Sequence, residues 1–334
     1  MNGPFGVRAR RGFVALALAL AGVSAAAEPF VLRQASNSPP GSVYHRQWLD
    51  FKATLERTSA GRIRVELNTN EPNEANLLSN LRRRRAHCAG VSLQGAATVL
   101  PEIAVLQLPF LFSSLSEVDH VYGQPQLTET FRRLFAAKGL FMHSWVEVSF
   151  TNLYGVTPLK TPADVRGQKL RATHSRASQN FIRASGAEAV VLPIAELLPG
   201  LQTGLIKGGE SGVIVYDAIV ARSAPHYTLT QHGFDSGVIL CNKEWMDALP
   251  ADLQRQVVAA WDTPALVKAV RTDIERILAG AAAKGITPHR IGETERALWR
   301  AVGERSSAAV MATLPPEAAA LRQTIVKTVA ATPR

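Results

Sequence analysis

An α/β fold arranged as two lobes is predicted by three features of the 334-residue chain. Strand-like and helix-like periodicities alternate through most of its length, the order that builds largely parallel sheets flanked by helices. The alternation restarts after residue 150, which opens a second lobe. No Pro/Gly/Ser tract, low-complexity stretch or repeat with a period of roughly 20–50 residues interrupts the chain. Ordered segments must therefore join the lobes, as in a hinged clamp.

The N-terminus is set apart first. Arg8, Arg10 and Arg11 precede an apolar run from Phe13 to Val23, and Ala25, Ala26 and Ala27 follow as a small-residue cleavage site. That is the layout of a secretory signal peptide, and the run falls short of the roughly 20 residues of a membrane span. No later stretch reaches that length, so the chain from about Glu28 is expected to be a soluble periplasmic protein. A lipid anchor would need a cysteine at the cleavage site, whereas the two cysteines are Cys88 and Cys241. Each lies in an apolar strand-like run and reads as a small buried residue, although an oxidising compartment permits one bridge. Roughly 307 residues remain after residue 27, enough for two domains of roughly 100–200 residues each. The formal charge of +10 becomes +7 without the three leader arginines, since residues 1–27 hold no acid. A mild basic excess suits anionic ligands and does not require nucleic acid.

In the first lobe, Tyr44, Trp48, Phe51 and Leu55 recur at helical spacing behind Ser42 as N-cap, and Gly61 stands where a glycine stops the helix. Ile63, Val65 and Leu67 alternate with Arg62, Arg64 and Glu66, a half-buried strand. A helix over 73–85 leads to a strand at 88–93, and a helix from Ser116 to about Lys138 leads to a strand at 140–146. The second lobe begins with a strand from Lys169 to Ala172, a helix from Ser175 to about Ser185 closed by Gly186, and a strand through Val190 and Val191. Leu253, Val257, Trp261, Leu266, Val270, Ile274 and Ile277 mark one long amphipathic helix, with two more helical stretches from about Glu293. The Arg82–Arg85 run reads as a solvated helix end whose charges favour the C-terminal dipole.

Four segments carry a family resemblance: Leu-Pro-Phe-Leu-Phe at 108–112, PADVRGQKLR from Pro162 to Arg171, GAEAVVLPIAELLPGLQTGLIKGGE from Gly186 to Glu210, and ALPADLQRQ from Ala248 to Gln256. In this order, behind a signal peptide, the sequence resembles the solute-binding proteins of tripartite ATP-independent periplasmic (TRAP) transporters, the DctP family. The resemblance implies a type II-like periplasmic binding protein: two α/β lobes joined by crossing strands, a long helix running over both, and a ligand cleft between them. Lobe I would take residues 28–148 plus 237–275, and lobe II residues 149–236 plus 276–334. It also implies capture of a small organic carboxylate and its delivery to one small and one large integral membrane subunit driven by an ion gradient. No cofactor, metal or nucleic acid is implied.

Arg171 ends the strand-like Gln168–Arg171 where this family places the arginine that holds a ligand carboxylate. A guanidinium offers paired planar donors that match a carboxylate, and the pair strengthens when a closing cleft excludes water. The structural alternative is an ion pair with Glu188 or Glu210. The family's usual Asp-Gly-Gln-Glu-Asn-Pro-like turn reads Lys207, Gly208, Gly209, Glu210, Ser211, Gly212 here, so Glu210 persists and Ser211 replaces the asparagine that touches ligand. The second arginine of many members is missing from Val148–Thr151. A site with one arginine, walled by Trp145, Phe150 and Ile194 near Thr151, would favour a monocarboxylate with an apolar or aromatic body, the alternative for those side chains being core packing. The resemblance further places Ser36, Asn37 and Glu74 at the first-lobe side of the site. Ser92, Asp235 and Ser236 beside neighbouring strands, and His174 near Arg171, are further candidates, each open to ordinary turn or capping chemistry.

Enzyme classes find little support. The chain has no Gly-x-Ser-x-Gly elbow, His-Glu-x-x-His, phosphate-cradling glycine loop or Cys-x-x-Cys, and its eight histidines are scattered without metal-ligand spacing. A binding protein that serves a sensor kinase or an ABC-type permease is the alternative role on the same fold.

Overall fold

A computed structural model of the protein describes Met1 and residues 28–38, 40–69, 71 and 74–333. The signal peptide read over 1–27 therefore lies, Met1 apart, outside the described residues. Among those described, no helix is long and apolar enough to cross a membrane.

Among the described residues nine strands form one continuous sheet: β1 (Phe30–Ser36), β2 (Ile63–Asn68), β3 (Cys88–Ser92), β4 (Leu140–Gly155), β5 (Lys169–Ala172), β6 (Glu188–Val191), β7 (Gly208–Gly212), β8 (His226–Asn242) and β9 (Thr287–Arg290). Their order is β2-β1-β3-β8-β4-β7-β5-β6, with β9 alongside the start of β8. The pairs β1–β2, β1–β3, β5–β6, β5–β7 and β8–β9 are parallel, as expected, but β3–β8, β4–β8 and β4–β7 are antiparallel. The mixed sheet follows from its connections: β4 carries the chain from the first half to the second, β8 carries it back, and two opposed crossings can pair only antiparallel.

The crossing strands are longer than the periodicity indicated. β4 runs to Gly155 instead of stopping near 146, because Glu147, Ser149, Thr151 and Asn152 are polar yet buried and break the apolar alternation. It pairs with β8 from Leu140–Asn242 to Gly155–His226, with register shifts at Met142/Ser144, Glu147/Ser149 and Thr151/Leu153. Two expected helices are each divided. The 116–138 stretch becomes Leu115–Tyr122 and Pro125–Ala136, broken at Gly123, Gln124 and Pro125, where proline has no N–H to continue the ladder. The stretch marked by Leu253 to Ile277 becomes Ala251–Ala259 and Thr263–Ala279, the second capped by the Asp262 carboxylate accepting from Ala265 N at 2.9 Å.

Four apolar cores cover the two faces of the two sheet halves. Leu77, Val118, Phe131 and Phe234 share one; Trp48, Phe51, Ile239 and Trp261 the second; Tyr154, Tyr216 and Tyr227 the third; Leu170, Phe181 and Trp299 the fourth. Helix Thr263–Ala279 buries Leu266 and Val270 in the second core and Ile277 in the third, so one long helix does span both halves. Helix Glu293–Met311 does the same on the opposite face, with Trp299 and Val302 in the fourth core and Val310 in the first. Arg271 of the first of these helices holds Glu147 at 2.7 Å and 2.8 Å and Asp119 at 2.9 Å, fixing the helix to the β4 bulge.

His143 of β4 is buried between Ser144 Oγ (2.9 Å) and the Val257 carbonyl (2.9 Å). Burial, joined by the Arg132 charge and opposed by the Val257 carbonyl, pushes its pKa down to about 4. Between about pH 6.5 and pH 4 the unfolded chain takes up a proton that folded His143 refuses, so this group's contribution is complete above about 6.5 and falls as pH drops. Asp235, pushed up to about 6, works oppositely: its contribution is present at low pH and lost as pH rises through 6. The two are separated by comparing the wild type with His143→Gln in urea melts at pH 7 and 4.5. The variant is expected to lose about 2 kcal/mol less on acidification, and equal losses would refute the assignment.

Candidate functional site

Strand β5 places Arg171 in the sheet interior, in register with Val190 of β6 and Gly209 of β7. The side chain is 6% exposed; Nε donates to the Leu192 carbonyl and Nη1 to the Glu210 carbonyl, each at 3.1 Å. Nη2 has no hydrogen-bond partner among the described residues. Arg171 therefore makes neither of the ion pairs weighed from the sequence: Glu188 faces Lys169 at 3.9 Å, and Glu210 offers Arg171 its backbone, not its carboxylate.

The double glycine of β7 makes room for this. A Cβ on Gly209 would sit 2.8 Å from Arg171 Cβ and 2.7 Å from the Tyr154 hydroxyl. On Gly208 it would meet the Tyr154 carbonyl oxygen at 2.2 Å, a backbone atom that cannot swing aside. Gly208→Ala is expected to destabilise the fold by more than about 2 kcal/mol in urea unfolding; an unchanged midpoint would show that β7 can shift.

Residues from both halves of the sheet, among them Glu210 whose carbonyl holds Arg171, line a cavity of about 30 Å³. Gln107 and Pro109 come from the first half, and Thr151, Thr173, Ser178, Phe181, Glu210, His232 and Asp235 from the second. Phe110, the next residue in the Leu-Pro-Phe-Leu-Phe segment, holds φ at +56°, a conformation that bulky residues rarely adopt. Its N–H donates to the His232 carbonyl at 2.8 Å, and its ring lies where a Cβ on Gly303 would be 2.6 Å away. This strained turn brings Gln107 and Pro109 against the second half.

Glu210 and His232 are the cavity's buried pair. Oε2 of Glu210 lies 2.9 Å from Nε2 of His232, whose ring stacks on Phe181 with centroids 4.1 Å apart and whose Nδ1 meets Thr230 Oγ1 at 2.8 Å. Burial alone would raise the Glu210 pKa, but the His232 hydrogen bond and charge, the Ser178 hydroxyl and the Arg171 charge bring it below the ordinary value. Asp235 stands opposite Ser149 on β4 and accepts from Thr151 Oγ1 at 2.9 Å. Its burial and the nearby Glu210 charge push its pKa up to about 6, although Thr151, His232 and Arg171 pull the other way.

The structure thus brings Thr151, Glu210 and Asp235 to one cavity, with Arg171 outside its lining but bonded to the Glu210 carbonyl, and separates several other candidates from it. Ser211 is buried, donating to the Gly212 carbonyl at 2.9 Å. Trp145 is a core residue whose Nε1 donates to Thr128 Oγ1 at 2.9 Å between Tyr122 and Phe131, and Phe150 packs on Phe234. Ile194 is 46% exposed, and His174 and Asn37 are exposed. Glu74 accepts from Ser92 N and Ser92 Oγ at 2.6 Å each, while Ser36 is buried and Ser236 meets the Tyr122 hydroxyl at 2.7 Å. None of these lines the cavity. His232 and Gln107 were not singled out, and His174 was the histidine expected near ligand; only proximity to Asp235 in sequence could have pointed to His232.

The model of bacterial extracellular solute-binding protein family 7, DctP, matches residues 34–313. The chain belongs to this family. Among its relatives, the C4-dicarboxylate-binding periplasmic protein DctP of Rhodobacter capsulatus is 26% identical over 87% of this chain and 89% of its own length. Among solved structures, a TRAP periplasmic solute-binding protein of Anaerococcus prevotii with bound glucuronate superposes with a TM-score of 0.84 at 16% identity, over 91% of this chain and 100% of that one. One from Shewanella oneidensis with bound succinate gives 0.82 at 19% identity, over 92% and 100%. The DctP family expected from the four segments is the one found. The two-lobed architecture is likewise that of the solved neighbours, and DctP proteins are solute-binding transport components, not an enzyme family.

Proposed function

We propose that this DctP protein is an exported receptor that captures a small organic carboxylate between its two sheet halves and passes it to TRAP-type membrane subunits without chemical change. The supporting observation is Arg171: a guanidinium buried in the sheet, its Nε and Nη1 fixed on carbonyls and its Nη2 uncommitted among the described residues, beside a polar cavity. Backbone carbonyls hold the side chain in place without neutralising its charge, which leaves that charge for an anion. The carboxylate ligands of the relatives named above belong to the same chemical class. The leader at 1–27 fits export to the periplasm.

The proposed lobes meet near residues 148 and 237, where β4 and β8 shift register. Opening there would part Gln107 and Pro109 from the second half and expose the cavity; a ligand that contacts both sides stabilises the closed form. A thermal-shift screen of monocarboxylates, 2-oxo acids and dicarboxylates, followed by calorimetry on the hits, tests the reading. A ligand at about 100 times its Kd is expected to add about 2.7 kcal/mol to stability. If no carboxylate raises the melting temperature while another solute class does, the proposal fails.

A further inference from the structure

The second arginine of the expected family site is absent, and the structure shows what stands in the corresponding stretch. Thr151 of β4 points its hydroxyl at Asp235 of β8, so this side of the cavity presents a carboxyl group. Among the described residues the cavity lining holds no arginine or lysine; its ionisable members are Glu210, His232 and Asp235, and Arg171 reaches it through the Glu210 carbonyl. With Arg171 and with His232 protonated, the four groups sum to zero. With His232 neutral the group carries one net negative charge. In either state a second ligand carboxylate would enter against the field of Asp235 and Glu210 with no cation to receive it. Burial strengthens that repulsion, since like charges interact more strongly away from water.

We infer that the solute is zwitterionic, a small acid whose carboxylate is held by Arg171 and whose ammonium or similar cationic group faces Asp235. The inference rests on the carboxylate reading above and narrows it. Two features of the chain support the placement of the cation. Thr151 uses its hydroxyl hydrogen on Asp235 Oδ2, which fixes the carboxyl's orientation. Asp235 is itself pressed towards its neutral form by burial and by Glu210, and an incoming cation would relieve both. The nearest alternative, a hydroxyl on the ligand, would satisfy the same oxygen without balancing its charge.

Matched four-carbon acids separate these cases: butanoate, 3-hydroxybutanoate, 3-aminobutanoate and succinate, titrated by calorimetry at pH 7.5 into the wild type and into Asp235→Asn. In the wild type the amino acid is expected to bind at least tenfold more tightly than the other three. Asp235→Asn keeps an oxygen acceptor and removes the charge, so the amino acid should lose at least tenfold while the hydroxy acid changes little and succinate improves. Wild-type protein that binds succinate or butanoate at least as tightly as 3-aminobutanoate overturns the inference and leaves the carboxylate reading standing. So does a preference for the amino acid that survives in Asp235→Asn. Failure of all four acids to bind overturns the inference, and failure of the wider acid screen overturns the carboxylate reading as well.

Discussion

Arg171→Ala is expected to weaken binding of the acid solute by about 2–5 kcal/mol, roughly 30-fold to several thousand-fold. The size of the effect follows from burial. At 6% exposure the guanidinium has little water around it, and a carboxylate brought against it loses its own hydration as the halves close. Deleting the cation leaves that carboxylate near Glu210 and Asp235 without the guanidinium that would receive it. Alanine also frees the Leu192 and Glu210 carbonyls, so circular dichroism and a melting curve must accompany the calorimetry. Arg171→Lys provides the finer control: it keeps one charge but not the fork that spans Leu192, Glu210 and ligand together, and its affinity should fall between the other two. Undiminished binding in a folded Arg171→Ala protein would place the carboxylate elsewhere.

Why the sequence points to Arg171 and not to His232 has a physical reason. Arg171 ends a short strand inside a recognisable segment, and an arginine buried there must have a partner, which makes the residue informative on its own. His232 gains its place in the cavity lining from pairing across strands: β8 bulges between Thr228 and Gly233, Gln231 takes φ +49°, and only then does the imidazole reach Glu210, 22 residues earlier. No periodicity encodes such a bulge. The same contrast holds for the fold. Helices and strands with apolar alternation were placed closely, as with Lys169–Ala172 and Arg176–Ala184. The crossing strands run longer than the apolar pattern because their middles are buried and polar, lining or approaching the cavity, and an expectation built on apolar residues stops where the cavity begins. Trp145 and Ile194 lie away from the cavity lining for the complementary reason: an aromatic or branched side chain near a motif is equally suited to core or surface, and tertiary packing decides.

Replacing both Cys88 and Cys241 with alanine is expected to destabilise the fold by about 2–5 kcal/mol while leaving solute affinity unchanged. The sequence reads the two cysteines as small buried residues and leaves a bridge between them open; they are buried, at 1% and 0% exposure, and they are joined. Strand pairing explains the bond: Cys88 of β3 lies directly across from Cys241 of β8, with Cα atoms 4.0 Å apart. The bridge closes a loop spanning 153 positions that contains β4 to β7 and the whole cavity. A loop of that length restricts the unfolded chain by about 5 kcal/mol in the chain-entropy account, towards the upper end of what single bridges contribute. The folded state loses little else, because Trp48, Ile239 and the rest of that core still surround the site. The cavity residues sit on strands and turns at a distance from it, so calorimetric affinity should not move. The measurement is a pair of urea melts, wild type and double alanine, with and without ligand. Coincident melts would mean that the unfolded chain is already restricted without the bond, and a lost affinity would mean that β8 transmits its anchoring at Cys241 as far as Asp235.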